Sequence, residues 1–152
     1  MSDDQNTAGR TGEIDKLSYA RRIPFARHLG FELVKFEGGE SEILYTAKPE
    51  HLNTFDVTHG GACMTLLDVT MAAAARSQTP EDGVVTIEMK TSFMQPSAGP
   101  LSARGRLMHR TASLAFVEAT IYDEAGRACA HSTGTFKYVK NRGVIDRLPS
   151  TD

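Results

Sequence analysis

The stretch that decides the fold is His59-Gly60-Gly61-Ala62-Cys63-Met64-Thr65-Leu66-Leu67-Asp68-Val69-Thr70-Met71-Ala72-Ala73-Ala74-Ala75-Arg76-Ser77. From residue 62 onward it is rich in helix formers and apolar almost all round. That composition predicts a buried helix over 62–77, roughly 24 Å long. Such a helix is shielded on every side only if a curved sheet wraps it or a second subunit covers it.

The flanks supply a sheet. Residues 31–37 and 41–47 read as two strands joined at Gly38-Gly39, with Ile43, Tyr45 and Ala47 alternating in the second. Pro49 ends that strand, and residues 51–58 form a loop into the helix. After the helix, Thr79-Pro80-Glu81-Asp82-Gly83 is a second loop. Runs 84–95, 101–110, 113–122 and 127–138 then read as strands, with a turn at Asp123-Glu124-Ala125-Gly126. Alternation puts Val85, Ile87, Met89 and Phe93 on one face of the first run, with Thr86 on the other. In the third run it groups Ala115, Val117, Ala119 and Ile121. Strands in runs around a single helix predict an α+β class with an antiparallel sheet.

Upstream, residues 14–27 are helix-like, with a restart at Pro24, where proline suits a first turn. Arg21, Arg22 and Arg27 read there as a solvated face. The expected organisation is a disordered lead-in over 1–13, one domain over 14–140 and a polar tail over 141–152.

The chain has 152 residues, enough for one core. Seventeen Lys and Arg stand against nineteen Asp and Glu, a formal charge of −2, which argues against bulk electrostatic binding to nucleic acid. No apolar run reaches the roughly 18 residues of a membrane span. The opening Met1-Ser2-Asp3-Asp4-Gln5 does not resemble a secretory leader, so the cytoplasm is the expected compartment. Cys63 and Cys129 are isolated from each other and form no zinc or dithiol motif, and no metal or redox cofactor is expected.

Chemistry concentrates around the helix. Its first turn offers free backbone N–H groups and the positive end of the dipole, and Gly60 and Gly61 let a ligand approach that backbone. The same spacing also fits a tight, chemically silent helix entry. Asp68 is a carboxylate among Leu66, Leu67, Val69 and Met71. It is costly there unless it is hydrogen-bonded or functional, as nucleophile or as general base, and a polar seam or a neighbouring subunit would equally explain it. Gly60 and Asp68 are eight residues apart, roughly 12 Å along one helix axis. If both act on one carbonyl, they belong to different subunits. Asn53 offers an amide to a carbonyl or a water, or serves as an ordinary loop residue. His59 contacts substrate or caps the helix. Cys63 reads as packing.

The run Asn53-Thr54-Phe55-Asp56-Val57-Thr58-His59-Gly60-Gly61, with Leu66-Leu67-Asp68 beyond it, resembles the hotdog-fold thioesterases, and most the phenylacetate-degradation (PaaI-like) branch. Thr86 to Pro96, Gly105 to Arg110 and Tyr122 to Arg127 carry the similarity on, so that it covers roughly residues 22–139. The resemblance implies a long central helix wrapped by a curved antiparallel sheet, in a homodimer or homotetramer with shared active sites. It implies hydrolysis of an acyl-CoA, aryl-acetyl or medium-chain, to free acid and CoA, which is part of the substrate and not a cofactor. In that reading the Gly60 N–H polarises the carbonyl and Asp68 of the partner subunit attacks it or activates water. Asn53 helps hold the carbonyl or the water, and Thr86 positions water near the carboxylate. His59, Gly61 and Arg110 contact substrate or CoA. The family has glycine where this chain has Asp56. The rival readings are a hotdog dehydratase or hydratase and a non-catalytic acyl-CoA binding module.

Overall fold

Alternating apolar positions in six strands build one antiparallel sheet in the computed structural model, which describes residues 23–140. The strands are β1 (Glu32–Glu37), β2 (Glu40–Thr46), β3 (Gly83–Phe93), β4 (Pro100–Arg110), β5 (Leu114–Tyr122) and β6 (Ala128–Val139), in the order β1-β2-β4-β5-β6-β3. A short helix α1 (Pro24–Leu29) precedes them, with proline in its first turn as expected. A 3-10 turn, Pro49–His51, opens the loop into the long helix α2 (Gly60–Arg76). The lead-in, the residues before 23 in the helix-like run (Arg21 and Arg22 among them) and the tail lie outside the described residues.

Helix α2 touches all six strands, which a flat sheet does not permit. The sheet therefore curls around it. Four register shifts help, each adding one residue: Val34, Ile87, Met108 and, in β6, Cys129. A bulge bends its strand and increases the local twist. The side chains of Val34, Ile87 and Met108 are exposed and that of Cys129 is buried. The core fills the concave side: Leu66, Leu67 and Met71 of α2 are fully buried, as are Ile43, Val117, Ile121 and Phe136 of the strands. Each such side chain contributes about 1.5–3 kcal/mol of burial. The helix lies flush on β4 at Gly105, where a Cβ would stand 2.8 Å from the Thr70 carbonyl and 2.5 Å from Ser41 Oγ. Ser41 Oγ donates to that carbonyl at 2.6 Å, so the close approach carries its own hydrogen bond.

One expectation narrows and one changes. First, the sheet alone does not cover the helix all round within one chain. Gly61 and Met64 are exposed, and Thr65, Asp68 and Ala72 are half-buried, a flank at helical spacing. Second, the face of β3 differs from simple alternation. Val84, Thr86, Met89, Thr91 and Phe93 pair with Tyr138, Phe136, Gly134, Ser132 and Ala130, the buried positions of β6. Cross-strand partners share a face, so these five point toward the helix. The extra residue at Ile87 shifts the parity, and Val85 and Ile87 turn outward, Ile87 to 54% exposure. Ala115, Val117, Ala119 and Ile121 are buried together as expected.

Candidate active site

Asn53 organises the loop before α2. Its Oδ1 accepts hydrogen bonds from the amides of Phe55 (2.9 Å) and Val57 (3.3 Å), and its own N–H donates to the Val57 carbonyl at 2.9 Å. The turn occupies the side-chain oxygen. Nδ2 has no partner among the described residues and is free for a ligand. Asp56, at the loop tip, has φ 58°, in the left-handed region. The resemblance expects glycine here because of that backbone angle, and aspartate is one of the few side chains that tolerate it.

His59 is the N-cap of α2. Its Nδ1 accepts from the Gly61 amide at 2.9 Å. Its carbonyl accepts from the amides of Ala62 (2.9 Å) and Cys63 (3.1 Å), and its own amide donates to the His51 carbonyl at 2.8 Å. These bonds use every amide around the helix entry except one. The Gly60 N–H has no acceptor among the described residues, and it stands at the positive end of the dipole. A Cβ on Gly60 would meet the Phe93 ring at 3.5 Å, so the free amide opens beside an aromatic side chain.

Asp68 lies on the open flank of α2. Its Oδ1 accepts from Thr86 Oγ1 at 2.7 Å, a contact made possible by the bulge at Ile87. Burial pushes its carboxyl above the usual aspartate range, and the Thr86 hydroxyl partly offsets this. A half-buried carboxylate held by one hydroxyl keeps a free oxygen for a proton or an electrophile. Within one chain Gly60 and Asp68 remain about 12 Å apart along the helix.

The other candidates are occupied, buried or distant from the Gly60 amide. The Gly61 amide is taken by the His59 cap. Arg110 stacks over the Tyr138 ring at 4.7 Å, and Tyr138 Oη donates to the Ala75 carbonyl in the last turn of α2. Arg110 therefore sits at the opposite end of the helix from Gly60. Cys63 is buried, and burial pushes its thiol pKa up, which keeps it protonated. Among the described residues no group of three or more His, Cys, Asp or Glu is placed to hold a metal, and no helix is long and apolar enough to cross a membrane. Sequence reading placed Phe93 only on one face of a strand. Its place beside Gly60 depends on the register of β3 and on where the loop returns, which no local pattern encodes.

The comparisons agree with this architecture. The model of the thioesterase superfamily matches residues 55–130, from the loop tip through the start of β6. A protein of Saccharolobus solfataricus named as a candidate esterase is 27% identical over 123 residues, covering 80% of this chain and 82% of its own. A solved structure of a conserved protein from Pseudomonas aeruginosa is 27% identical, with a TM-score of 0.74 over 77% of this chain and 94% of its own. The Escherichia coli PaaI protein from the phenylacetic acid degradation operon shares the fold, with a TM-score of 0.78 over 88% of this chain and 96% of its own, at 18% identity. With half of its length inside the family model and a single helix wrapped by the antiparallel sheet, the chain belongs to the thioesterase superfamily and is a hotdog-fold thioester hydrolase.

Proposed function

We propose that this protein hydrolyses an acyl-CoA to a free acid and CoA at sites shared between two copies of the chain. The observation that carries the reading is the single free amide of Gly60 at the helix entry, set against a half-buried Asp68 two turns along the same helix. The thioester carbonyl accepts a hydrogen bond from Gly60 N–H, which stabilises the charge that develops on oxygen. Asp68 of the second copy attacks the carbonyl carbon or takes a proton from the attacking water. Thr86 holds that carboxylate in orientation. Asn53 Nδ2 donates to the carbonyl or to the water. His59 enters as the cap that leaves the Gly60 amide open. Gly61 and Arg110 already have partners within the chain, and the reading gives them no contact with substrate.

The assembly is a homodimer, or a homotetramer built from such pairs. Strand β3 supports this: it has eleven residues, forms one edge of the sheet, and carries the exposed Val85 and Ile87. A long apolar edge of this kind invites pairing with another strand. Phe93 beside the amide favours an apolar acyl group, aryl-acetyl or medium-chain. The test is thiol release from a panel of acyl-CoA thioesters, wild type beside Asp68→Asn. Turnover that disappears in a folded Asn variant supports the reading. A wild type that binds acyl-CoA without turnover overturns it.

A further inference from the structure

We propose that His51 is the positioning residue of the carbonyl site: it holds His59 so that the Gly60 amide is the one left open. The inference rests on the role given to Gly60 above. His51 is 8% exposed and closes the 3-10 turn Pro49–His51. Its Nδ1 meets two groups, Tyr45 Oη at 2.8 Å and the Lys48 amide at 3.2 Å. A backbone amide can only donate, so Nδ1 is the acceptor and the ring hydrogen is on Nε2. Tyr45 Oη then donates as well. Tyr45 is itself buried, and its phenol, pushed up to about 12 chiefly by that burial, stays a donor across the neutral range.

The backbone of the same residue holds the N-cap: the His51 carbonyl accepts the His59 amide at 2.8 Å. One buried residue, through its ring and its carbonyl, thus ties the cap of α2 to the C-terminal end of β2. The same bond from the His59 amide, with Asn53 N–H to the Val57 carbonyl at 2.9 Å, makes the bridge between Leu52 and Thr58, and Thr58 N–H to the Ser97 carbonyl at 2.9 Å is a further tie one residue short of His59. The arrangement also has a cost. Nε2–H is buried with no partner among the described residues, so a leucine of similar bulk would avoid an unpaired donor. What leucine lacks is the acceptor that Tyr45 and Lys48 share. A local rule broken where an active-site element is anchored points to function.

The test uses the full-length protein and thiol release from its best acyl-CoA, with thermal melts alongside. His51→Leu removes the acceptor. His51→Asn restores one, because its Oδ1 lies close to the place of Nδ1. Tyr45→Phe removes one donor. We expect His51→Leu to lower kcat by about 10- to 100-fold with KM changed by less than about threefold, since a displaced amide loses transition-state contact first. His51→Asn should return kcat to within about threefold of wild type, and Tyr45→Phe should fall between. A folded His51→Leu at full rate overturns the proposal, and so does an Asn variant as slow as the Leu variant. Should His51→Leu fail to fold, Tyr45→Phe decides: an unchanged kcat overturns the proposal and a reduced one supports it. A wild type without turnover overturns the thioesterase site and this inference together, whereas active wild type with indifferent variants overturns this inference alone.

Discussion

Replacing Gly60 by proline deletes one hydrogen atom of interest and little else. Gly60 is the first residue of α2, a position where proline is favoured because its N–H would have no intrahelical acceptor. The preceding residue must be extended, and His59 already has φ −59° and ψ 139°. A Cβ at Gly60 meets the Phe93 ring at 3.5 Å, an ordinary contact. The Gly60 amide makes no hydrogen bond among the described residues, so none is lost. Stability should therefore hold or rise by about 0.4–1 kcal/mol, through a stiffer unfolded chain. Activity should not hold. Loss of one donor to a developing oxyanion costs on the order of 10²- to 10³-fold in kcat, about 2.7–4 kcal/mol. Gly60→Ala is the control: it keeps the N–H, adds the same Cβ contact, and should stay within about threefold of wild type. The assay is acyl-CoA thiol release with melts on all three proteins. A folded Gly60→Pro enzyme within about threefold of the wild-type kcat would refute the role of this amide.

Asp68→Asn should lower kcat by about 10²- to 10⁴-fold. Burial raises the folded carboxyl above its unfolded value, so ionised Asp68 destabilises the fold. That penalty is absent below the ordinary carboxyl value of 3.8, grows as pH rises through the raised folded value, and is complete at neutral pH. The Asn variant should thus melt at the same or a higher temperature than wild type at neutral pH, with the difference fading in acid; a lower neutral melting temperature would contradict the desolvated carboxylate. Mixing Asp68→Asn with Gly60→Pro subunits should restore activity, because each mixed dimer keeps one intact pair. Random exchange yields about one quarter of the wild-type rate, and verified mixed dimers with none would exclude a two-chain site.

The buried helix was legible because a run from Ala62 to Ala75 that is apolar nearly all round needs a curved sheet or a second subunit to cover it, and the strands on both sides of it in sequence supply the sheet. The alternation of Ala115, Val117, Ala119 and Ile121 was legible for the same reason, since β5 is a central strand without a bulge before Ile121. The alternation of β3 misled. Val85 and Ile87 are apolar, but they lie on an edge strand whose outer side is open, and a single inserted residue changes the parity. No local propensity marks Ile87 as that residue. The bulge is a compromise between pairing with β6 and bending around the helix, and it exists only in the assembled sheet. The contact from Thr86 to Asp68 depends on it, so the pair that looked incompatible in parity is hydrogen-bonded. The role of His51 was hidden similarly, because its partners Tyr45 and His59 come together only when the loop closes on β2.

If Gly60 of one chain faces Asp68 of another, symmetry fixes what lies between. A two-fold axis requires residue i to meet j wherever j meets i, so two antiparallel α2 helices have residue 64 at their midpoint. Met64 is the most exposed apolar side chain of α2, at 38%, and stands on the same open flank as Asp68. Helices packed with axes about 8–10 Å apart bring facing Cα atoms to about 4–6 Å, within the span of a disulfide. Met64→Cys should therefore form a covalent dimer under mild oxidant such as diamide, read on a non-reducing gel and reversed by thiol. Cys63 and Cys129 are both buried and should not compete. Thr65→Cys, one position further along the helix, should cross-link more weakly. Efficient linkage through Met64→Cys would place the axis midway between the two halves of the site. A Met64→Cys protein that is dimeric by sedimentation yet never cross-links would place the axis elsewhere, and the pairing of Gly60 with the opposite Asp68 would fall with it.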